Sequence, residues 1–264
     1  MHSINFNLYD HNFCESTIYS TIQHPEYLNS LSSLFIAFIG FNGLTKPCIH
    51  FQLALLYSAF IVNGITSSFY HYYNTIGWGL LDRMSMILIA LSSVGLFLNY
   101  INRILILNRW KRRHAIIISR LINLLVQIYF TVLFTVAGLH IEQLFNIMFG
   151  IFLGSLVLFM ITIEKCYYEM DLPYKLVKMG WNGIVYIATS GIFWILTENL
   201  CNDYFFIKYL LGHVWWHLFV SYGGYLISLI PCYLYLQNLN IRNIVILYDI
   251  FGIPYLYNNY DSYV

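Results

Sequence analysis

Seven apolar runs dominate the chain, at roughly Leu31–Leu44, Phe51–Tyr72, Leu80–Tyr100, Ile116–Leu139, Leu144–Ile163, Trp181–Thr197 and Lys208–Leu236. About 20 such residues cross the hydrocarbon core of a bilayer as a helix. Lipid offers no partner for backbone N–H and C=O groups, so a spanning segment must satisfy its own. The first run is short and is expected to extend back through Asn29. Only 9% of the 264 residues are charged and 59% are hydrophobic, with a mean hydropathy of +0.64. A soluble domain carries about 25% charged residues, so most of this surface must face lipid. The expected fold is all-α, a polytopic membrane protein built as a bundle of seven transmembrane helices. Pro231 should kink the last helix.

Three parts follow: an N-terminal cap over residues 1–29, the bundle over 30–237 and a tail over 238–264. The cap is polar and aromatic, with Asp10, Glu15 and Glu26. Met1 to Phe13 hold no apolar core and no basic stretch, so no cleavable signal is read there and the first hydrophobic helix is expected to direct insertion. In the tail, Ile244–Tyr257 is too short to span and contains Gly252 and Pro254, which places it at the interface. A net charge of +1 without a basic groove argues against a nucleic-acid partner.

Loop charge sets the expected orientation. Lys46 follows span one. Arg103, Arg109, Lys111, Arg112, Arg113 and Arg120 lie between or near spans three and four. Lys165, Lys175 and Lys178 follow span five, and Arg242 follows span seven. The opposite side has Lys208 and Arg83. Basic loops stay cytosolic, so the N-terminus is expected in the lumen or outside and the C-terminus in the cytosol.

Chemistry-bearing residues gather on the non-cytosolic side. Ser67 and His71 are four residues apart at the end of span two, on one helical face, and Asp82 opens span three. His213 and His217 repeat that spacing at the start of span seven, in His213-Val-Trp-Trp-His217. Taken alone, Asp82 reads as a helix N-cap and Ser67 as a hydroxyl bonding back to a carbonyl. Trp215 and Trp216 read as interfacial belt and packing. Three histidines and an aspartate at one membrane depth are a different matter. Ionisable groups inside a bilayer are costly and tend to be functional. Catalytic zinc takes three protein ligands and leaves a fourth position open. His71, His213 and His217 are the candidate ligands.

The pattern Ser67-x-x-x-His71, Asp82 eleven residues on, then His213-Val-Trp-Trp-His217 resembles the alkaline ceramidases. That family sits within a larger group of seven-span metal hydrolases that includes the adiponectin-type receptors. Cys14-Glu15, Glu26-Tyr-Leu-Asn-Ser-Leu-Ser, Gly191-Ile-Phe-Trp194 with Cys201, and Phe251-Gly-Ile-Pro254 extend the resemblance over most of the chain. The resemblance implies a zinc-dependent hydrolase that cleaves a ceramide-like lipid to a sphingoid base and a free fatty acid. Zinc would sit on His71, His213 and His217, Asp82 would act as general base, and Ser67 would donate to the oxyanion. It also implies a calcium site at Asn12, Phe13 (through its carbonyl), Glu15, Thr17 and Glu26. Only two of these are carboxylates, and calcium prefers several charged oxygens.

The family usually places a second acid after the aspartate, where this chain has Arg83. By the charge-derived topology Cys14 and Cys201 share the luminal side, which permits disulfides, and a Cys14–Cys201 bond tying the cap to the loop after span six is expected. Cys48 and Cys166 would be cytosolic and reduced. The compartment expected is the endoplasmic reticulum or Golgi. The competing readings are a seven-span receptor or lipid-binding protein with structural zinc, and a hydrolase of another lipid amide or ester.

Overall fold

The computed structural model describes residues 13–18, 25–47, 49–107, 112–139, 141–241 and 243–258. Asn12, Cys48, Arg109, Lys111 and Arg242 lie outside them. Seven long helices form the bundle: α1 (Tyr27–Leu44), α2 (Phe51–Tyr73), α3 (Ile76–Leu107), α4 (Arg112–Gly138), α5 (Glu142–Cys166), α6 (Tyr174–Leu200) and α7 (Gly212–Asn238). All seven are long and apolar enough to cross a membrane, and the protein is an integral multi-pass membrane protein. Large apolar side chains such as Leu125, Ile147, Ile151 and Leu158 are exposed on its outside, as a lipid-facing surface requires.

The helices overrun the apolar runs by a few residues at most ends. A lipid-facing helix stops where its backbone finds polar partners, not where its side chains turn polar. The α2–α3 connection shows this. Only Asn74 and Thr75 separate the two helices. Asn74 takes the left-handed conformation at φ 50° and donates its N–H to the Tyr70 carbonyl at 2.6 Å. Asparagine is one of the few side chains that tolerate this geometry. Asp82 therefore lies in the second turn of α3, and the N-cap reading is corrected. Helix α7 runs through Pro231 without a break.

Packing is uneven. Helices α1–α2 and α6–α7 form intimate pairs, whereas α4 and α5 touch their neighbours sparingly. Small residues make the tight pairs possible. Gly183 on α6 and Gly223 on α7 face each other, and a Cβ on Gly183 would come within 2.5 Å of the Gly223 carbonyl oxygen. Between α2 and α7 the Tyr57 hydroxyl meets the Ser228 hydroxyl at 3.0 Å in a buried setting.

The tail is not helical. Ile244–Tyr248 (β1) and Pro254–Asn258 (β2) pair antiparallel, with Ile246 opposite Leu256. This qualifies the all-α expectation: a two-stranded hairpin is added to the helical bundle. Ile, Val and Tyr at these positions suit a pleated, half-buried surface, and Gly252 supplies φ +73° at the turn. The hairpin docks at the α1 C-terminus. Asp249 accepts from Lys46 Nζ and Asn42 Nδ2, both at 2.7 Å, and from the Phe251 and Ile253 N–H groups at 2.9 Å. Tyr225 on α7 donates to the Pro254 carbonyl at 2.8 Å.

Two outcomes follow. Gly223→Leu forces α6 and α7 apart; overpacking of this kind costs about 1–3 kcal/mol, and a thermal melt in detergent should show a lower Tm. Burial pushes the Asp249 carboxyl up, but Lys46, Asn42 and two backbone donors outweigh it and bring it to about 2. A folded pKa below the ordinary 3.8 means the hairpin clasp is fully present above about pH 4 and is lost as pH falls through 2. Proteolysis of the tail should be unchanged from pH 7 to 5, and Asp249→Ala should make it fast across that range.

Candidate metal and hydrolase site

The α2–α3 turn and the start of α7 bring three imidazoles to the same end of the bundle. His71, His213 and His217 are buried, and one ligand atom from each lies within 4.8 Å of the others. The rings are mutually tilted, with centroids 4.6–5.2 Å apart.

What surrounds the other ring nitrogen decides how these residues can bind. His71 Nδ1 is 2.7 Å from Glu26 Oε2. His213 Nδ1 is 3.6 Å from Glu198 Oε1. His217 Nδ1 is 2.9 Å from the Ser32 hydroxyl and 3.2 Å from that of Ser33. Each Nδ1 is thus faced by a polar group, which leaves Nε2 for ligation. Metal-bound histidine characteristically has its second nitrogen held in this way. The residues present fit a metal ion.

Asp82 lines the cavity beside the histidines. Asn63 on α2 donates to its Oδ1 at 2.9 Å and to Ser85 at 2.9 Å. Ser33 donates to Ser67 at 3.1 Å, and Ser67 hydrogen-bonds Asp82. The chain Ser33–Ser67–Asp82 makes Ser67 a relay to the carboxylate rather than a hydroxyl bonded back to its own helix. Arg83 is buried and lines the same cavity.

The cap covers this end. Cys14–Ile18 forms a short 3-10 helix, and the Phe13 ring sits 4.9 Å from that of His71 and 4.7 Å from that of His213. Glu26, fully buried, accepts from the Phe13 N–H at 2.8 Å and the Ser16 hydroxyl at 2.6 Å through Oε1, and from Asn29 at 3.2 Å through Oε2. Burial pushes its carboxyl up, but the His71 contact, with Ser16 and Asn29, outweighs this and holds it below the usual range. Glu15 accepts the Leu28 and Asn29 N–H groups at 2.7 Å each. It thereby satisfies two orphan donors in the first turn of α1. Thr17 donates to the Cys14 carbonyl, and the Phe13 carbonyl accepts from Ser16. The oxygens of Phe13, Glu15, Thr17 and Glu26 thus all have protein partners, and the fifth residue of that set, Asn12, lies outside the described residues.

Cys14 and Cys201 meet as two buried thiols, hydrogen-bonded to each other and not joined by a disulfide. Burial pushes both thiols up, Cys201 adding to the rise at Cys14. Cys166 is a buried thiol at the other end of the bundle.

The cavity at the histidines is about 130 Å³. It shares Phe13, Met86, Phe149, Leu153, Trp194 and Trp216 with a second cavity of about 690 Å³ between α5 and α6. Trp216 is buried and stacks on Trp194, while Trp215 is exposed, so of the two tryptophans only Trp216 lines the site. Ile192 and Ile195, which line the larger cavity, are exposed on the outer face. The space is mostly apolar, with Asn146, Glu198 and Asn199 also in its wall, and it borders the outer face where α5 packs loosely.

The Ceramidase family model matches residues 9–257. The chain belongs to the Ceramidase family. No curated protein matches it significantly. Membership makes it a ceramidase-like hydrolase of membrane lipid, with a three-histidine cluster that could hold a metal ion.

Sequence reading reached the histidines, Ser67 and Asp82 through spacing. It missed Ser32, Ser33, Asn63 and Glu198, and assigned Glu26 to calcium alone. Asn63 did carry a signal, since an amide buried in an apolar run needs a partner. Glu198 gave none, because it sits among polar residues at a helix end. If the imidazoles share one ion, His71→Ala, His213→Ala and His217→Ala should each remove stoichiometric metal from purified protein by elemental analysis. Binding by the native protein should weaken as pH falls and the ligands take up protons.

Proposed function

We propose that this member of the Ceramidase family is a zinc-dependent intramembrane amide hydrolase that cleaves ceramide to a sphingoid base and a free fatty acid. The observation that carries the reading is the adjacency of two spaces. The three imidazoles and Asp82 border one cavity, which adjoins a larger, mostly apolar one between α5 and α6 and shares part of its wall. An acyl chain would lie in the larger space, with its amide at the histidines.

His71, His213 and His217 would hold the ion through Nε2, and a set of three imidazole ligands is one that catalytic zinc takes. When bound, zinc would polarise the amide carbonyl and acidify a water. Asp82 takes the proton of the attacking water as the C–O bond forms, and returns it to the leaving nitrogen as the C–N bond breaks. Asn63 pins Asp82 Oδ1 and thereby fixes the direction of the carboxylate. Once Asp82 is protonated it no longer needs the Ser67 proton. The Ser67 hydroxyl can then turn to the oxyanion, where one such donor is worth roughly 3 kcal/mol. Phe13, Trp194 and Trp216 keep bulk water from the amide.

A calcium ion on Asn12, Phe13, Glu15, Thr17 and Glu26 belongs to the same proposal and would compete with the protein partners that the oxygens of Phe13, Glu15, Thr17 and Glu26 already have. So does a Cys14–Cys201 disulfide, which needs only oxidation of two adjacent thiols. We place the cap end on the luminal side of the endoplasmic reticulum or Golgi, because Lys46, Arg113, Arg120, Lys165, Lys175 and Lys178 lie at or toward the hairpin end of the bundle.

Purified protein in detergent should contain zinc and release fatty acid from a ceramide panel. Asp82→Asn should retain the zinc and lose at least 100-fold in rate. Ser67→Ala should lose about 100-fold. Zinc with no release from any ceramide would instead favour a receptor, a lipid-binding protein or a hydrolase of another lipid.

A further inference from the structure

We infer that Glu198 is a positioning residue that joins the cap to His213, so that cap docking and metal binding are one coupled equilibrium. The inference rests on the reading that His71, His213 and His217 hold an ion.

Two consecutive backbone N–H groups of the cap meet the carboxylates that face the histidines. That of Phe13 donates to Glu26 Oε1 at 2.8 Å, and that of Cys14 donates to Glu198 Oε2 at 2.8 Å. The second oxygen of each carboxylate faces a histidine: Glu26 Oε2 is 2.7 Å from His71 Nδ1, and Glu198 Oε1 is 3.6 Å from His213 Nδ1. The two acids come from opposite sides of the site, one just before α1 and one in the last turn of α6. Between them the Phe13 ring packs on both imidazoles. The side chain of Glu198 is 21% exposed and lines the larger cavity.

Ligation through Nε2 requires that Nδ1 carry the proton. A metal cation makes that N–H a stronger donor, and a carboxylate is its best acceptor. At 3.6 Å the His213 contact is longer than a hydrogen bond. Metal binding supplies the pull that shortens it, and the same movement draws Glu198 and the Cys14 N–H toward the site. Coupling is reciprocal: whatever the metal adds to cap docking, the docked cap adds to metal affinity. A Glu198 that only capped the Cys14 N–H would leave metal affinity untouched.

The test uses full-length protein in detergent, with zinc affinity from chelator competition, the visible spectrum of the cobalt-substituted form, and hydrogen exchange over residues 13–18. Glu198→Gln keeps the shape and an acceptor oxygen for Cys14 but removes the charge facing His213. Glu198→Ala removes both. The expected losses of zinc affinity are about 10-fold for Glu198→Gln and up to about 100-fold for Glu198→Ala, with a shifted cobalt spectrum. In the native protein zinc should slow exchange of the cap, and in Glu198→Ala it should not. A Glu198→Gln protein that binds zinc within twofold of native with an unchanged spectrum overturns the inference. So does a native cap whose exchange ignores zinc. A native protein that binds neither zinc nor cobalt would instead defeat the metal reading beneath it.

Discussion

A polar side chain inside a bilayer survives only with a partner. In this protein the partners form connected chains. Asp82 rests on Asn63 and Ser67, Ser67 on Ser33, Ser33 and Ser32 on His217, and His71 on Glu26. The chains cross α1, α2, α3 and α7, so none of these helices can slide without leaving a buried group unsatisfied. The tight glycine-mediated pairing of α6 with α7 and the two-residue α2–α3 turn hold the same elements at the required depth. A network of this kind is rigid when complete, which is what a preorganised hydrolytic site needs.

The other half of the bundle follows the opposite rule. Helices α4 and α5 carry little polar cross-bracing among the described residues and pack loosely. Gly150 and Gly154 on α5 have open space where a side chain would be. The lipid-facing cavity lies on this side. A stiff half beside the histidines and a loose half beside the larger cavity are the division of labour that the proposed reaction on a membrane lipid would use.

Arg83 shows why site and fold are separate questions. The resemblance to alkaline ceramidases prepares for an acid beside Asp82, yet the chain places a buried cation in the same cavity. Helix α3 runs unbroken through Arg83. Arg83 lines the cavity that Asp82 lines, so the change bears on the site's charge.

The seven helices could be read from the sequence because run length and hydropathy answer to the bilayer alone. Ser67 with His71, and His213 with His217, could be read because an i, i+4 spacing is a local property of any helix. Tertiary structure decided the remainder. The sequence offered Glu26 only as part of an implied calcium site, and it was the fold that set it against His71, 45 residues away. Glu198 became part of the site only when 184 residues of chain folded back to Cys14. The tail's β-hairpin is tied to the bundle where Asp249 meets Lys46 across the molecule. Local periodicity reports how a helix lies in lipid. Which distant acid faces which imidazole depends on how the helices pack, and no spacing along the chain records it.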